Sequence, residues 1–393
     1  MPRLSARAHT LQESAIRKLD LTVAKQKDVS FYRLNIGQPD VLTPQPMLDA
    51  IRSYQPKVIA YGPASGTAAC RAAAAAYSSR WSPGLSAEHV VVTAGGSEGL
   101  LFAFTAICDA GDEILVPEPY YTNYNGFGTV AGARVVPIRT RIEDGFAIPS
   151  DADLDRMVTP KTRAIVLNTP GNPTGVVYSR AEIGRVLNWA KKHDLFVISD
   201  EVYRQIWFGE PPASALEFPE HSERVVVIDS LSKTWSACGA RIGFLISRNG
   251  ELMEKIERLG QARLGPQPLA QEMAIAAMNL PESYYDDLRA IWRGRVLALY
   301  GSLQELGLQA PKPEGAFYLM VKLPVTDSEA FARYLVTDFR DRGESLVVAP
   351  GPGFYADPSD GRDQVRLAAV LEESKLVRAA ELLGKALKAY GSR

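Results

Sequence analysis

The chain has 393 residues, 46% hydrophobic and 23% charged, with a formal net charge of -1. That is a globular composition with enough length for a sizeable core, in two domains or in one large domain with a smaller one attached. Near-neutrality argues against nucleic acid or an anionic membrane as the main partner, and no run of about 18 uninterrupted apolar residues suggests a membrane-spanning helix.

The chain opens with MPRLSARAHTLQESAIRKLD, which is basic but lacks the apolar stretch of a secretory leader. It reads as an arm followed by a short amphipathic helix. From His89 onward, short β-branched runs alternate with longer helical patterns. The runs are HVVVT, EILVP, ARVVPI, AIVLN, FVIS, VVVID and GFLIS. Each is apolar throughout, as in strands buried on both faces of a mostly parallel sheet. Between them lie helical stretches such as SEGLLFAFTAICDAG and SRAEIGRVLNWAKKHD; in the second, Ser179 and Glu182 form a capping box. After about Pro281 the texture changes. A long charged helix leads to shorter strand runs (AFYLMVKL, SLVVAP, QVRLAAV) and a closing helix. The expected class is therefore α/β. A large domain over 46–285 would hold a mostly parallel seven-stranded sheet covered by helices, and 1–45 with 286–393 would form a smaller α+β domain. Cys70, Cys108 and Cys238 are few, odd in number and far apart, which fits a reducing cytoplasm better than a disulfide framework or a zinc site. The four histidines are also scattered, so no histidine-based metal site is expected.

Ligands of α/β sheets bind at the carboxyl ends of strands. The informative polar residues fall there repeatedly. AGGSEG follows the first run and EPYYTNY the second. TPGNPTG, with Asn172, follows AIVLN; DEVY, with Asp200 and Tyr203, follows FVIS; SLSK, with Lys233, follows VVVID. Taken singly these are ordinary. Lysine is usually a surface residue, Asn172 would serve as a turn residue before proline, Asp200 as a strand-end cap, and a lone GGSEG is a common way to start a helix.

In combination and in chain order, NPTG, SDExY, SxSK with Arg241 eight residues after the lysine, and a late VRL resemble the pyridoxal-phosphate-dependent aminotransferases of class I and II, the aspartate-aminotransferase fold type. The resemblance runs from NIGQPD at Asn35 to QVRLAAV at Val370. It implies pyridoxal 5'-phosphate as cofactor, with Lys233 forming the Schiff base and moving protons. It further implies that Asp200 pairs with the pyridine nitrogen, that Tyr203 and Asn172 bond the ring's phenolate oxygen, and that Tyr121 stacks on the ring where many members carry Trp. Gly96 and Ser97 at a helix start, with Ser230 and Arg241, match the phosphate cup. Tyr61 matches a tyrosine that reaches the neighbouring subunit's phosphate, which implies a homodimer. Arg366 matches the binder of the substrate α-carboxylate, a role that suits a guanidinium better than an ammonium, and Gly37 lines the same pocket.

The implied reaction is transfer of an amino group from an L-amino acid to a 2-oxo acid. The same fold hosts C–S lyases and decarboxylases, and some regulators keep it as an effector sensor, although those carry an added DNA-binding module. For the substrate, Arg263 in QARLGPQP aligns with a segment that reaches the active site across the dimer. It could pair with the distal carboxylate of aspartate, glutamate or 2-oxoglutarate, or it could be a surface arginine at a helix end. The alternative pocket takes alanine or aromatic donors, with Tyr120, Tyr124 and Phe127 as walls.

Overall fold

The computed structural model describes residues 2–11 and 19–392. Twelve strands follow in chain order: β1 (Ser30–Arg33), β2 (Val90–Thr93), β3 (Glu113–Glu118), β4 (Arg134–Arg139), β5 (Thr162–Asn168), β6 (Phe196–Asp200), β7 (Val225–Ser230), β8 (Gly243–Ile246), β9 (Tyr318–Lys322), β10 (Glu344–Val347), β11 (Ala349–Pro350) and β12 (Gln364–Ala368). The seven apolar runs each supply one strand of a single sheet, ordered β2-β8-β7-β6-β5-β3-β4. All neighbours are parallel except at β8, which runs antiparallel to both β2 and β7.

β2, β7 and β8 show no polar alternation because neither face meets water, and they are buried at every position; β4, at the sheet edge, is exposed at both ends. Successive residues feed two separate cores. Leu167, Val225, Val227 and Phe244 pack on one face with Ile183, Val186 and Leu187 of the helix Arg180–Lys192. Val166, Val226, Ile228 and Leu245 pack on the other with Leu100 and Phe104 of the helix Gly96–Ile107. At about 1.5–3 kcal/mol for each fully buried Val, Leu or Phe, the two layers fix the strand ends relative to one another. The Ser179–Glu182 capping box starts the helix Arg180–Lys192 as its sequence predicts.

The C-terminal part packs around a third core that includes Trp292, Phe317, Leu335 and Leu376. It contains the long helix Glu282–Glu305, an antiparallel sheet ordered β11-β12-β9, and the closing helix Glu373–Gly391. β1 pairs in parallel with β10, which ties the beginning of the chain to this lobe. Near the N-terminus Ala6–Thr10 and Asp20–Lys25 are helical; most of the rest of the expected amphipathic helix, 12–18, lies outside the described residues. All three cysteines are free, and no helix among the described residues is long and apolar enough to cross a membrane.

Candidate active site

β5, β6 and β7 lie side by side at the middle of the sheet, so the loops after their carboxyl ends converge. With the start of the helix Gly96–Ile107 and with β9 and β12 of the C-terminal lobe, they enclose a cavity of about 320 Å³. Every residue given a cofactor or substrate role above lines it except Tyr61 and Arg263, and the walls expected for a neutral donor, Tyr120, Tyr124 and Phe127, do not line it either.

Lys233 sits in the short helical turn Leu231–Thr234 that leaves β7, where Ser230 Oγ accepts the Ser232 N–H at 3.2 Å. Its Nζ donates to the carbonyl of Gly37 at 2.7 Å, so the amine points across the cavity and not into solvent. Asp200 ends β6 and is 4% exposed. Its Oδ2 accepts from the Tyr124 hydroxyl at 2.7 Å, while Oδ1 has no partner among the described residues. Burial pushes this carboxyl up to about 6, against the opposing pull of the Tyr124 hydrogen bond and the Lys233 charge. Tyr203 is buried, and burial holds its phenol well above the usual value; its hydroxyl lies 2.9 Å from that of Tyr318.

Arg366, on β12, is 1% exposed. Nη1 donates to Asn172 Oδ1 at 3.1 Å, Nη2 donates to the backbone carbonyl of Asn35, and Nε has no partner among the described residues. The guanidinium lies 4.6 Å over the Tyr318 ring and 4.9 Å over that of Phe354. No carboxylate pairs with it among the described residues, which is unusual for so deeply buried a cation. Asn172 is held in turn, its N–H donating to Asn168 Oδ1 at 2.7 Å.

At the other end, Gly96 begins a 12-residue helix behind Gly95, whose φ of +82° only glycine adopts easily. A Cβ on Gly95 would also stand 2.6 Å from Arg241 Nη2. Arg241 donates from Nη2 to the Ala94 carbonyl at 3.2 Å and from Nη1 to that of Cys238 at 3.1 Å. A helix start with Ser97, Ser230, Ser232 and this arginine is a set of donors suited to a phosphate. Tyr121 lines the wall between the two ends, its phenol pushed up to about 12 by burial.

The donor set fits pyridoxal phosphate group by group: cation and hydroxyls for the phosphate, Tyr203 and Asn172 for the ring oxygen. Asp200 Oδ1, without a partner among the described residues, could accept a ring N–H. The sequence reading missed Tyr318 and Asn168, and took Tyr124 for a pocket wall where it is the partner of Asp200. Tyr318 lies in the run AFYLMVKL, which reads only as a strand. Tyr124 lies in the first turn of the helix Asn123–Ala131, and Asn168 is the last residue of β5. Tyr61 is 85% exposed and stands apart from this chain's own cavity. Arg263 is also outside it: Nη1 donates to Glu98 Oε2 at 2.7 Å, and Nη2 to the carbonyls of Ala64 and Val92 at 3.0 and 3.3 Å. Its guanidinium is thus engaged within its own chain.

An α/β sheet that brings a lysine, an acid, an amide and a phenol to one edge, over a helix start, defines a pyridoxal-phosphate enzyme. The sequence matches the family Aminotransferase class I and II over residues 30–383, and the chain belongs to that family. It is 30% identical over 397 residues to the aspartate/prephenate aminotransferase of Thermus thermophilus, covering 98% of this chain and 99% of the relative. Among solved structures it resembles the aspartate aminotransferase from Thermus thermophilus with maleate (TM-score 0.90, 28% identity, 98% of this chain and 100% of the other). It also resembles the alanine aminotransferase from Pyrococcus furiosus (TM-score 0.89, 30% identity, 98% and 100%). The protein is an aminotransferase whose cofactor is pyridoxal phosphate.

Proposed function

We propose that the protein moves the amino group of an aspartate-like L-amino acid to 2-oxoglutarate, working in the cytoplasm as a homodimer. The observation that carries the binding mode is Arg366: a buried guanidinium, free of any carboxylate among the described residues, facing the same cavity as Lys233. When bound, pyridoxal phosphate supplies a carbonyl carbon to take the amino group and a cationic ring to take up the electrons left at Cα. Arg366 and Asn172 grip the α-carboxylate, which turns the Cα–H toward Lys233. Lys233 would be the base that takes that proton and hands it on, and water would release the substrate as a 2-oxo acid while its amino group stays behind on the cofactor. Asp200, whose carboxylate Tyr124 holds in place, would keep the ring nitrogen protonated. Tyr203 would donate to the ring oxygen, Tyr121 would stack on the ring, and Gly96, Ser97, Ser230 and Arg241 would hold the phosphate.

Several observations support the dimer: Val58, Ile59 and Tyr61 are 74%, 77% and 85% exposed, an apolar stretch that a second copy would cover while carrying Tyr61 to its neighbour's phosphate. We further propose that 46–285 and the pair 1–45 with 286–393 act as the two lobes that close on the substrate.

Relatives named for aspartate favour an acidic donor. A second reading, a neutral donor such as alanine or an aromatic amino acid, draws on the cavity itself. Its cations are Lys233, Arg241 and Arg366, and each already has a task there. Aspartate, alanine and phenylalanine, each supplied with 2-oxoglutarate and followed by glutamate release, decide between them. Fastest release from aspartate is expected, and preference for alanine or phenylalanine selects the second reading. Lys233→Ala should lose turnover by at least about 10⁴-fold on every donor. Substantial turnover in that variant would remove Lys233 from its role.

A further inference from the structure

We propose that Tyr318 is a positioning residue that strengthens the hydrogen bond Tyr203 gives to the cofactor's ring oxygen; this rests on the reading of Tyr203 given above. Tyr318 opens β9 and comes from the C-terminal lobe, whereas Tyr203 follows β6 of the large sheet. Both are buried, 2% and 3% exposed, and their hydroxyls lie 2.9 Å apart. The packing needs of this position would be met by phenylalanine: the ring lies under the Arg366 guanidinium at 4.6 Å and meets Phe317 with centroids 4.8 Å apart. The hydroxyl therefore needs its own explanation, because burying one without a partner is costly. The site also makes room for it. A Cβ on Gly37 would stand 1.8 Å from the Tyr318 hydroxyl oxygen, so only glycine fits at 37 while Tyr318 is in place. Gly37 is the residue whose carbonyl accepts from Lys233 Nζ.

A phenol can donate one hydrogen bond and accept another. With Tyr203 donating to the cofactor's ring oxygen, its lone pairs are left to accept from Tyr318. The chain Tyr318, Tyr203, ring oxygen then polarises in one direction, and each bond strengthens the next. With the cofactor bound, its ring oxygen and the Lys233 nitrogen would have one proton between them. Stronger donation from Tyr203 stabilises that oxygen without the proton, so the proton leaves at lower pH. Removing the Tyr318 hydroxyl weakens the donation, and the proton should leave at higher pH. The charged and titratable groups facing Tyr203 and Tyr318 are Asp200, Tyr121, Lys233 and Arg366, and Tyr318→Phe leaves all four in place.

The test is a pH titration of the visible absorbance of the holoenzyme in four forms: parent, Tyr318→Phe, Tyr203→Phe and the double variant. Tyr318→Phe should raise the midpoint by about half a unit to one unit, the scale of one neutral hydrogen bond. In the Tyr203→Phe background, the same change should produce no further shift. An unmoved midpoint in Tyr318→Phe, or an equal shift in both backgrounds, overturns the proposal. So does a Tyr318→Phe protein that fails to hold the cofactor while Tyr203→Phe holds it, because a group acting through Tyr203 cannot matter more than Tyr203. If Tyr203→Phe leaves the midpoint where it was, the reading of Tyr203 itself falls, and Tyr318 with it.

Discussion

Asp200 and Asp229 are both buried acids, 4% and 6% exposed, at the ends of neighbouring strands β6 and β7. The register sets Asp200 beside Ile228, so strand alternation sends Asp229 to the opposite face. Burial raises both, Asp200 to about 6 and Asp229 to about 7. Their surroundings differ. Asp200, which lines the cavity, has one oxygen fixed by Tyr124 and the other without a hydrogen-bond partner among the described residues. Asp229 accepts the N–H of Ser230 at 2.7 Å and faces a cluster that largely serves itself. There Glu201 pairs with Arg204, and Ser214 bonds both. Gln205 donates to Tyr77, and Arg204 covers the Trp81 ring at 4.3 Å. A raised carboxyl therefore does not distinguish site from scaffold here. The open oxygen does, because it is the valence left for a ligand.

Substitution of the front acid should give the largest effect. Asp200→Ala removes the partner proposed for the cofactor's ring nitrogen, so kcat should fall about 10³-fold while the substrate KM moves little. Steady-state kinetics on the best donor check it. A change confined to KM would mean that Asp200 does not act on the reacting centre, and the contrast between the two acids would lose its functional half.

The rear acid should report in stability. Asp229→Asn keeps an acceptor for the Ser230 N–H but cannot ionise. In the parent, the folded value near 7 lies above the ordinary value near 3.9, so the folded protein binds the extra proton between them. The stability this contributes is fully present below about pH 4 and is lost as pH rises through about 7. Asparagine suffers no such loss. Relative to the parent, the variant should gain stability with rising pH, by an amount on the order of a few kcal/mol above pH 7, with kcat nearly unchanged. Denaturant unfolding at pH 5 and pH 8 reads the difference. Identical pH dependence in the two proteins would mean that Asp229 stays ionised against Arg204, and the rear cluster would then be a settled ion network.

The contrast also accounts for what the sequence revealed and what it hid. All seven apolar runs became strands of one sheet because a doubly buried strand must be apolar at every position, and that is visible residue by residue. The cavity's front residues were legible because they follow those runs directly: Asn172, Asp200 and Lys233 come shortly after or at the ends of β5, β6 and β7. Strand order and the reversal of β8 were not, since both depend on long-range pairing. Tyr318 and the Asp229 cluster were hidden for the same reason. Tyr318 meets Tyr203 across 115 positions of sequence, and Gln205 meets Tyr77 across 128. Neither residue lies in a pattern that announces its partner.

Arg263 gives the smallest expected effect and the sharpest limit on the comparison, because it belongs to neither acid's surroundings. Its partner Glu98 lies in the first turn of the helix that begins at Gly96, and Glu98 Oε2 also accepts the N–H of Ala94 at 2.7 Å. Arg263 thereby fastens the loop that presents Gly95 and Gly96, and its side chain is only 19% exposed. Arg263→Ala leaves Glu98 half-buried without its cation, so unfolding stability should drop by about 1–3 kcal/mol. Glu98→Ala in the same protein should recover part of that loss, since it removes the stranded charge. A guanidinium used this way has little left for a substrate, so the ratio of aspartate to alanine turnover should stay within about twofold of the parent. The ratio is measured with both donors on one preparation. A loss of ten-fold or more on aspartate alone, with alanine unaffected, would place the guanidinium on the distal carboxylate across the dimer. Arg263 would then leave the scaffold and join the functional side of the comparison.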